Sequence, residues 1–167
     1  MGASATGKTS LVEEVGVPTL VSHTTREQRE GEIDGEDYYF INKETYDKLD
    51  KVEWTKYAGN YYCLARGEIE KKLRESDKIA VILDRHGIER LFLNTTYNIT
   101  PIYIYSPIED IYERLRNTRD THEVNDRLYN LQKQDELTIP DFVDYIIMNK
   151  NGYFGRALSQ LEYIMGV

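Results

Sequence analysis

Apolar and polar positions follow two different rhythms along this chain. From residue 78 onward, short apolar runs alternate with stretches of helical period. Residues 78–84 (KIAVILD) form a compact apolar run, the pattern of a buried parallel strand. Residues 86–96 then place Ile88, Leu91 and Phe92 on one helical face. Residues 101–105 (PIYIY) predict the next strand, and residues 107–117 a helix with Pro107 suited to its first turn. Residues 123–136 predict another amphipathic helix, residues 142–148 (FVDYIIM) a last strand and residues 153–165 a last helix. Strand and helix alternating in this way predict a parallel sheet covered by helices. Residues 21–64 differ. They are rich in Tyr and Thr, with turn signals at Gly31, Asp34-Gly35 and Gly59-Asn60. Strands are expected over residues 37–41 and 52–57, and a short helix over 43–49, giving a small, partly antiparallel insert.

Composition narrows the class. The chain has 167 residues, 40% hydrophobic and 30% charged, which excludes disordered, collagenous and coiled-coil chains. A net charge of −8 argues against tracking a nucleic-acid polymer, which requires a basic face. A small phosphate ligand remains compatible, because a few arginines can outweigh the global charge locally. Cys63 is the sole cysteine, which excludes a disulfide framework and fits a reducing, cytoplasmic setting. No run of about 18 apolar residues is present, so no membrane span is expected. Nor is there a basic and apolar leader. The sequons at Asn94 and Asn98 carry no meaning in such a compartment.

The strongest single motif is Gly2-Ala3-Ser4-Ala5-Thr6-Gly7-Lys8-Thr9, which fits G-x-x-x-x-G-K-[ST] at every fixed position. Its glycines let successive N–H groups turn inward around an anion, and the following helix, expected over residues 9–15, adds its positive end. Lys8 reaches the β- and γ-phosphates in such a loop, and the Thr9 hydroxyl is the expected Mg²⁺ ligand, with Ser10 beside it. A phosphate loop ordinarily follows a buried strand, yet only Met1 precedes Gly2. The expectation is a start that lacks its upstream residues, or a fold without that strand. Met1-Gly2 with Thr6 also fits an acylation pattern, but acylation there would occupy the phosphate loop itself.

A second constellation follows. Arg26 and Arg29 stand after a predicted strand, and two guanidinium forks so spaced can close on one phosphate. Tyr38 and Tyr62 offer hydroxyl donors, and Glu53 can accept from two purine N–H groups at once. In order, Ser22-His23-Thr24-Thr25-Arg26, Arg29, Gly31-Glu32, Gly35-Glu36-Asp37-Tyr38-Tyr39-Phe40, Glu53-Trp54 and Gly59-Asn60-Tyr61-Tyr62 resemble the guanylate kinase family. The resemblance covers most of the first 65 residues and continues more weakly to the C-terminus.

The resemblance implies an α/β phosphate-loop three-layer sandwich with a parallel sheet, a small mixed-β insert that binds the nucleoside monophosphate, and a short helical lid. The core would comprise residues 1–20, 66–113 and 128–167, the insert 21–65 and the lid 114–127. It implies Mg²⁺-dependent transfer from ATP to GMP. ATP would be bound by Gly2, Ala3, Ser4, Ala5, Thr6, Gly7, Lys8, Thr9, Ser10 and Asn149, and GMP by Ser22, Arg26, Arg29, Glu32, Tyr38, Glu53, Tyr62 and Asp84. Lys8, Arg26 and the lid arginines Arg114, Arg119 and Arg127 would be catalytic, and Thr9 and Asp84 would face the metal. The expected partners are small nucleotides, with no polymer and no membrane.

Two positions depart from the family pattern. Leu64 stands where the family has a base-contacting Ser or Thr, and Asp84-Arg85-His86-Gly87 lacks the second Asp of D-x-D. These departures keep a different acceptor, another nucleoside monophosphate or a sugar phosphate, and a non-catalytic binding module as alternatives. The intact Gly7-Lys8-Thr9 argues against the module. A regulatory GTPase is disfavoured, because Asn149-Lys150-Asn151-Gly152 lacks the Asp of N-K-x-D. Cys63 reads as a small packing residue, and His86 is left out because an acceptor phosphate needs no general base.

Overall fold

A computed structural model describes residues 1–118, 124–126, 128, 129, 131 and 136–167. In chain order the elements are α1 (Lys8–Val15), β1 (His23–Thr24), β2 (Tyr39–Phe40), α2 (Lys43–Lys48), β3 (Lys51–Tyr57), β4 (Asn60–Ala65), α3 (Arg66–Glu75), α4 (Arg85–Asn94), β5 (Ile102–Tyr105), α5 (Ile108–Thr118), β6 (Tyr145–Met148) and α6 (Phe154–Met165). Two compact units result, one of Met1–Gly16 with Ile99–Val167 and one of Val17–Asn98.

In the first unit, β5 and β6 pair in parallel, from Ile102 opposite Tyr145 to Tyr105 opposite Met148. Met1 runs alongside β5: its nitrogen donates to the Ile102 carbonyl at 2.8 Å, and its own carbonyl accepts from the Ile104 N–H at 2.9 Å. One face of the pair is sealed by Leu11 of α1 and by Ala157 and Leu161 of α6, packed on Ile104 and Ile147. Leu11 is fully buried, and its side chain is worth about 2 kcal/mol in removed apolar surface. Ala3, Ile111 and Leu115 build a second cluster with Val124 and Leu131, which seats the phosphate loop on α5.

The second unit is a four-stranded sheet in the order β2-β1-β4-β3. Its β1–β2 pair is parallel, and its other two pairs are antiparallel. The β3–β4 hairpin turns through Ala58 and Gly59, both left-handed at φ 46° and 82°, as a tight two-residue connection requires. The helix α4 lies on β3, and Asn94 Nδ2 donates to the Val52 carbonyl at 3.0 Å.

Several expectations are corrected here. The run at 78–84 forms no strand ladder; it makes one isolated parallel bridge, between Thr19 and Ala80. Pro18 has no N–H with which to extend that ladder. On the other side the backbone turns to other partners, Val21 N–H to the Glu68 carboxylate and the Ser22 carbonyl to Tyr39 N–H. The strand expected over 37–41 shrinks to Tyr39–Phe40, because side chains take the backbone donors around it. Asp37 accepts from Ile33 N–H and Asp34 from Phe40 N–H. The strand expected over 142–148 begins only at Tyr145. The helix expected over 123–136 lies partly outside the described residues; 124–126, 128, 129 and 131 are helical.

Candidate functional site

The phosphate loop is made by backbone that only certain residues tolerate. Gly2 has φ +133°, and a Cβ there would stand 2.3 Å from the Ile104 carbonyl oxygen. Gly7 has φ +82°, and its Cβ would meet Asn149 Nδ2 at 2.4 Å. Ala5 also lies in the left-handed region, at φ 59°. Between them, buried Thr6 donates its hydroxyl to the Ala3 carbonyl at 2.9 Å, and Asn149 Nδ2 donates to the Thr6 carbonyl at 2.8 Å. Lys8 Nζ donates to the Ala3 carbonyl at 2.5 Å, across the mouth of the loop. The Ser4 N–H donates to Glu136 Oε2 at 3.1 Å, so a carboxylate already occupies one anion-binding donor. Thr9 and Ser10 are exposed on the first turn of α1.

Beside the loop lies a cavity of about 450 Å³, lined by Ser4, Gly7, Ser10, Arg114, Asn149 and Phe154, among others. The guanidinium of Arg114 is engaged in four directions. Its Nε donates to Asn151 Oδ1 at 2.8 Å, its Nη1 to the Ala5 carbonyl and Ser106 Oγ at 3.1 Å each, and its Nη2 to the Asn149 carbonyl at 2.8 Å. Burial lowers its pKa from the ordinary arginine value. Arg114 therefore ties α5 to the phosphate loop and to the turn after β6. Asn149 itself is buried, and its Oδ1 has no partner among the described residues. Arg119 and Arg127 lie outside the described residues.

The second unit holds the predicted acceptor residues in two groups. In the first, Arg26 forks onto the Glu32 carboxylate with bonds of 2.7 and 3.0 Å. Its guanidinium stands 5.6 Å from the Tyr38 ring centre and 5.5 Å from that of Phe40. Tyr38 and Tyr62 meet edge to face at 5.8 Å. The tandem threonines explain this placement. Thr24 Oγ1 accepts from Arg26 N–H at 3.1 Å and donates to the Tyr61 carbonyl at 3.1 Å, stitching the arginine to β4. The hydrogen bond from Arg26 lowers the Glu32 pKa, and the bond from Glu32 raises that of Arg26. Arg29 gives its N–H to Glu32 at 2.8 Å and is exposed.

The second group surrounds Glu53. Strand register sets Leu64 directly opposite Glu53, and both are buried. Asp84 caps α4 by accepting from Gly87 N–H at 2.7 Å. Gly87 lets the helix come close: a Cβ there would stand 3.4 Å from Glu53 Cγ. Burial, and then the charge of Asp84, push the Glu53 pKa up to about 7, against the opposing pull of Arg90. Ser22 is half-buried ahead of β1, its carbonyl bound to Tyr39 N–H. Burial raises the Cys63 thiol to about 12, which makes it an unreactive packing residue. His86 is exposed, facing Glu89 at 3.3 Å. Among the described residues no group of three or more His, Cys, Asp or Glu could hold a metal by itself. Thr9 belongs to the first unit and Asp84 to the second.

Sequence reasoning missed Glu136, Arg90 and Glu68, whose carboxylate accepts from Val21 N–H and Tyr39 Oη. Glu68 was open to inference, since R-G-E-I-E-K-K-L-R-E is a run of helix formers with acid first and base last. Nothing in spacing marked Glu136 or Arg90.

Each unit thus carries its own part of the motif set, the glycine-rich loop before α1 in the first and the Arg26, Tyr38, Tyr62 and Glu53 groups in the second, and the class is a mixed α/β protein with a phosphate-loop motif. The family model described as guanylate kinase matches residues 2–166. A guanylate kinase of Wolbachia pipientis wMel is 33% identical over 97% of this chain and 85% of its own length. That of Thermotoga maritima is 33% identical over 90% and 77%. A crystal structure of guanylate kinase from Anaplasma phagocytophilum superposes with a TM-score of 0.66 at 20% identity, covering 94% of this chain and 79% of that one. The chain belongs to the guanylate kinase family.

Proposed function

We propose that this chain transfers the γ-phosphoryl group of ATP to GMP, giving ADP and GDP. The carrying observation is that a member of this family keeps a complete phosphate loop together with a buried carboxylate, Glu53, on the same hairpin as Tyr62.

In this reading the N–H groups of Gly2, Ala3, Ser4, Ala5, Thr6 and Gly7, with Lys8, Thr9 and Ser10, hold the β- and γ-phosphates of ATP. The unpartnered Oδ1 of Asn149 accepts from the adenine amino group. Arg26, Arg29, Tyr38 and Tyr62 hold the acceptor phosphate, with Glu32 orienting Arg26. Glu53 accepts from the ring and exocyclic N–H groups of guanine, with Ser22 and Asp84 beside it. The acceptor oxygen is already ionised near neutral pH, so positioning and charge neutralisation carry the rate. Lys8 and Arg26 supply the first of that charge, and Arg114, Arg119 and Arg127 complete it, Arg114 by bracing the loop.

Thr9 offers a hydroxyl and Asp84 a carboxylate, each a hard oxygen donor of the kind Mg²⁺ takes together with water and phosphate oxygens. Mg²⁺ would neutralise phosphate charge during transfer.

The finer architecture proposed is the three-layer phosphate-loop sandwich with its insert over residues 21–65 and lid over 114–127; Met1 alongside β5 supports it. No helix among the described residues is long and apolar enough to cross a membrane. A cytoplasmic setting is proposed from the sole, buried cysteine.

Leu64 favours a second reading, with the same mechanism and a different acceptor, because it brings no hydrogen-bonding group to the position opposite Glu53. The test is ATP consumption with Mg²⁺ across GMP, dGMP, AMP, UMP and CMP, with the product identified. Turnover of GMP and dGMP alone supports the first reading. Turnover of another monophosphate moves the substrate, and no turnover of any of the five overturns the first reading and leaves an acceptor outside this set or a binding module.

A further inference from the structure

We propose that Arg90 is a positioning residue for the acceptor base: it holds the Glu53 carboxylate against α4 so that both oxygens face a ligand with two donors. This rests on the reading of Glu53 as the residue that meets guanine.

The geometry is specific to this hairpin. Arg90 Nη1 lies 3.8 Å from Glu53 Oε1 and also donates to the carbonyl of Trp54, the next residue along β3. The same guanidinium stacks 5.3 Å above the Trp54 ring centre. One side chain is thereby fixed by backbone and ring, with its charge aimed at the neighbouring carboxylate. Elsewhere on α4, Arg85 and His86 both turn to Glu89, which leaves Arg90 as the helix's cation facing β3. Across the ladder Leu64 offers no hydrogen bond, and among the described residues Glu53 accepts none, although it is buried. A carboxylate in that state needs a fixed counter-charge to stay ionised and in place.

The groups facing Glu53 are few. From α4 they are Asp84, which disfavours its charge, and Arg90, which favours it. The Cys63 thiol, paired with Trp54 across the ladder, and the Tyr46 phenol of α2 feel its charge; burial raises the pKa of both, so they are uncharged near neutral pH. Among the described residues Arg90 is thus the one positive group that opposes both desolvation and Asp84. Arginine suits the task better than lysine, because one planar fork can serve carbonyl, ring and carboxylate together.

The experiment compares wild type, Arg90→Gln and Arg90→Lys. KM and kcat are measured for GMP and ATP between about pH 6.5 and 8.5, and the carboxyl carbon of Glu53 is followed by NMR titration of the free protein. Arg90→Gln is expected to raise the KM for GMP about fivefold at pH 7, because displacing a midpoint near 7 by about one unit cuts the ionised fraction from about a half to about a tenth. Its kcat at saturating GMP and its KM for ATP should stay within about twofold of wild type. The KM penalty should shrink as pH rises, the Glu53 midpoint should move upward, and Arg90→Lys should recover part of both. An unmoved Glu53 midpoint overturns the proposal whatever the activity. So does a moved midpoint with an unchanged KM for GMP. Wild-type protein that turns over no GMP overturns the functional reading instead, and the titration still decides whether Arg90 governs Glu53.

Discussion

Burying Glu53 beside Asp84 has a thermodynamic cost that can be measured without any substrate. The Glu53 pKa is raised from 4.5 to about 7 in the folded protein. Folded protein therefore binds more protons than unfolded protein between those values, and stability falls as pH rises through them. At about 1.36 kcal/mol per pH unit, the full effect approaches 3 kcal/mol once pH exceeds the folded value. Glu53→Gln removes the titration and keeps the shape. Below about pH 4.5 the two proteins should be nearly equal in stability, since Glu53 is then neutral in both states. Above about pH 7.5 the Gln variant should be more stable by about 3 kcal/mol, or roughly 6–12 °C in Tm for a chain of this size. Trp54 is the sole tryptophan and neighbours Glu53, so its fluorescence during thermal unfolding reports on the relevant unit. Titrating groups that do not interact with Glu53 are shared and cancel in the difference between variants. A Tm difference that stays constant from about pH 5 to 8.5 would refute the reasoning. The same variant should lose most affinity for GMP, because an amide cannot accept from two donors as a carboxylate does. The site would then be carrying a stability cost for recognition.

Other outcomes follow from single contacts. Lys8→Ala should abolish turnover with every acceptor in a coupled ATPase assay; residual activity above about a hundredth would sink the phosphate-loop assignment. Gly7→Ala forces a Cβ to 2.4 Å from Asn149 Nδ2 at a left-handed φ, so ATP binding measured by calorimetry should weaken at least about tenfold. Leu64→Thr restores a hydroxyl opposite Glu53 and should raise the GMP-to-AMP ratio of kcat/KM, by a factor of about five or more. An unchanged ratio would show that this position does not read the base. Arg114→Ala leaves Ala5, Ser106, Asn149 and Asn151 without their common donor and should destabilise the protein by about 2–4 kcal/mol in urea unfolding.

The legible parts of this chain are those where one residue type is physically required. Gly2 and Gly7 had to be glycine, because a Cβ would strike Ile104 or Asn149, and that requirement is what makes the motif readable. The helical faces of α4, α5 and α6 were readable because each buries one stripe, although on α4 only Ile88 and Leu91 of the expected face are buried and Phe92 is exposed. Strand lengths were not, because they depend on partners far away in sequence. The apolar run at 78–84 has a strand's composition, yet its single bridge is set by Pro18, some sixty residues earlier. Arg26 and Arg29 were visible as a spacing, but their partners in the fold were not. Glu32, also named from the motif, turned out to be the group that holds Arg26. Arg90 lay furthest from view. It is one basic residue on an exposed helix, and only the β3 register and the close approach at Gly87 give it a carboxylate to face. Its effect on Glu53 works against Leu64, whose alkyl chain and missing hydroxyl leave that carboxylate less well solvated. A change at one of these positions should therefore alter what the other contributes. The Arg90→Gln penalty on KM for GMP should be smaller in a Leu64→Thr background, and strict additivity in that double-mutant cycle would mean the two act on the base separately.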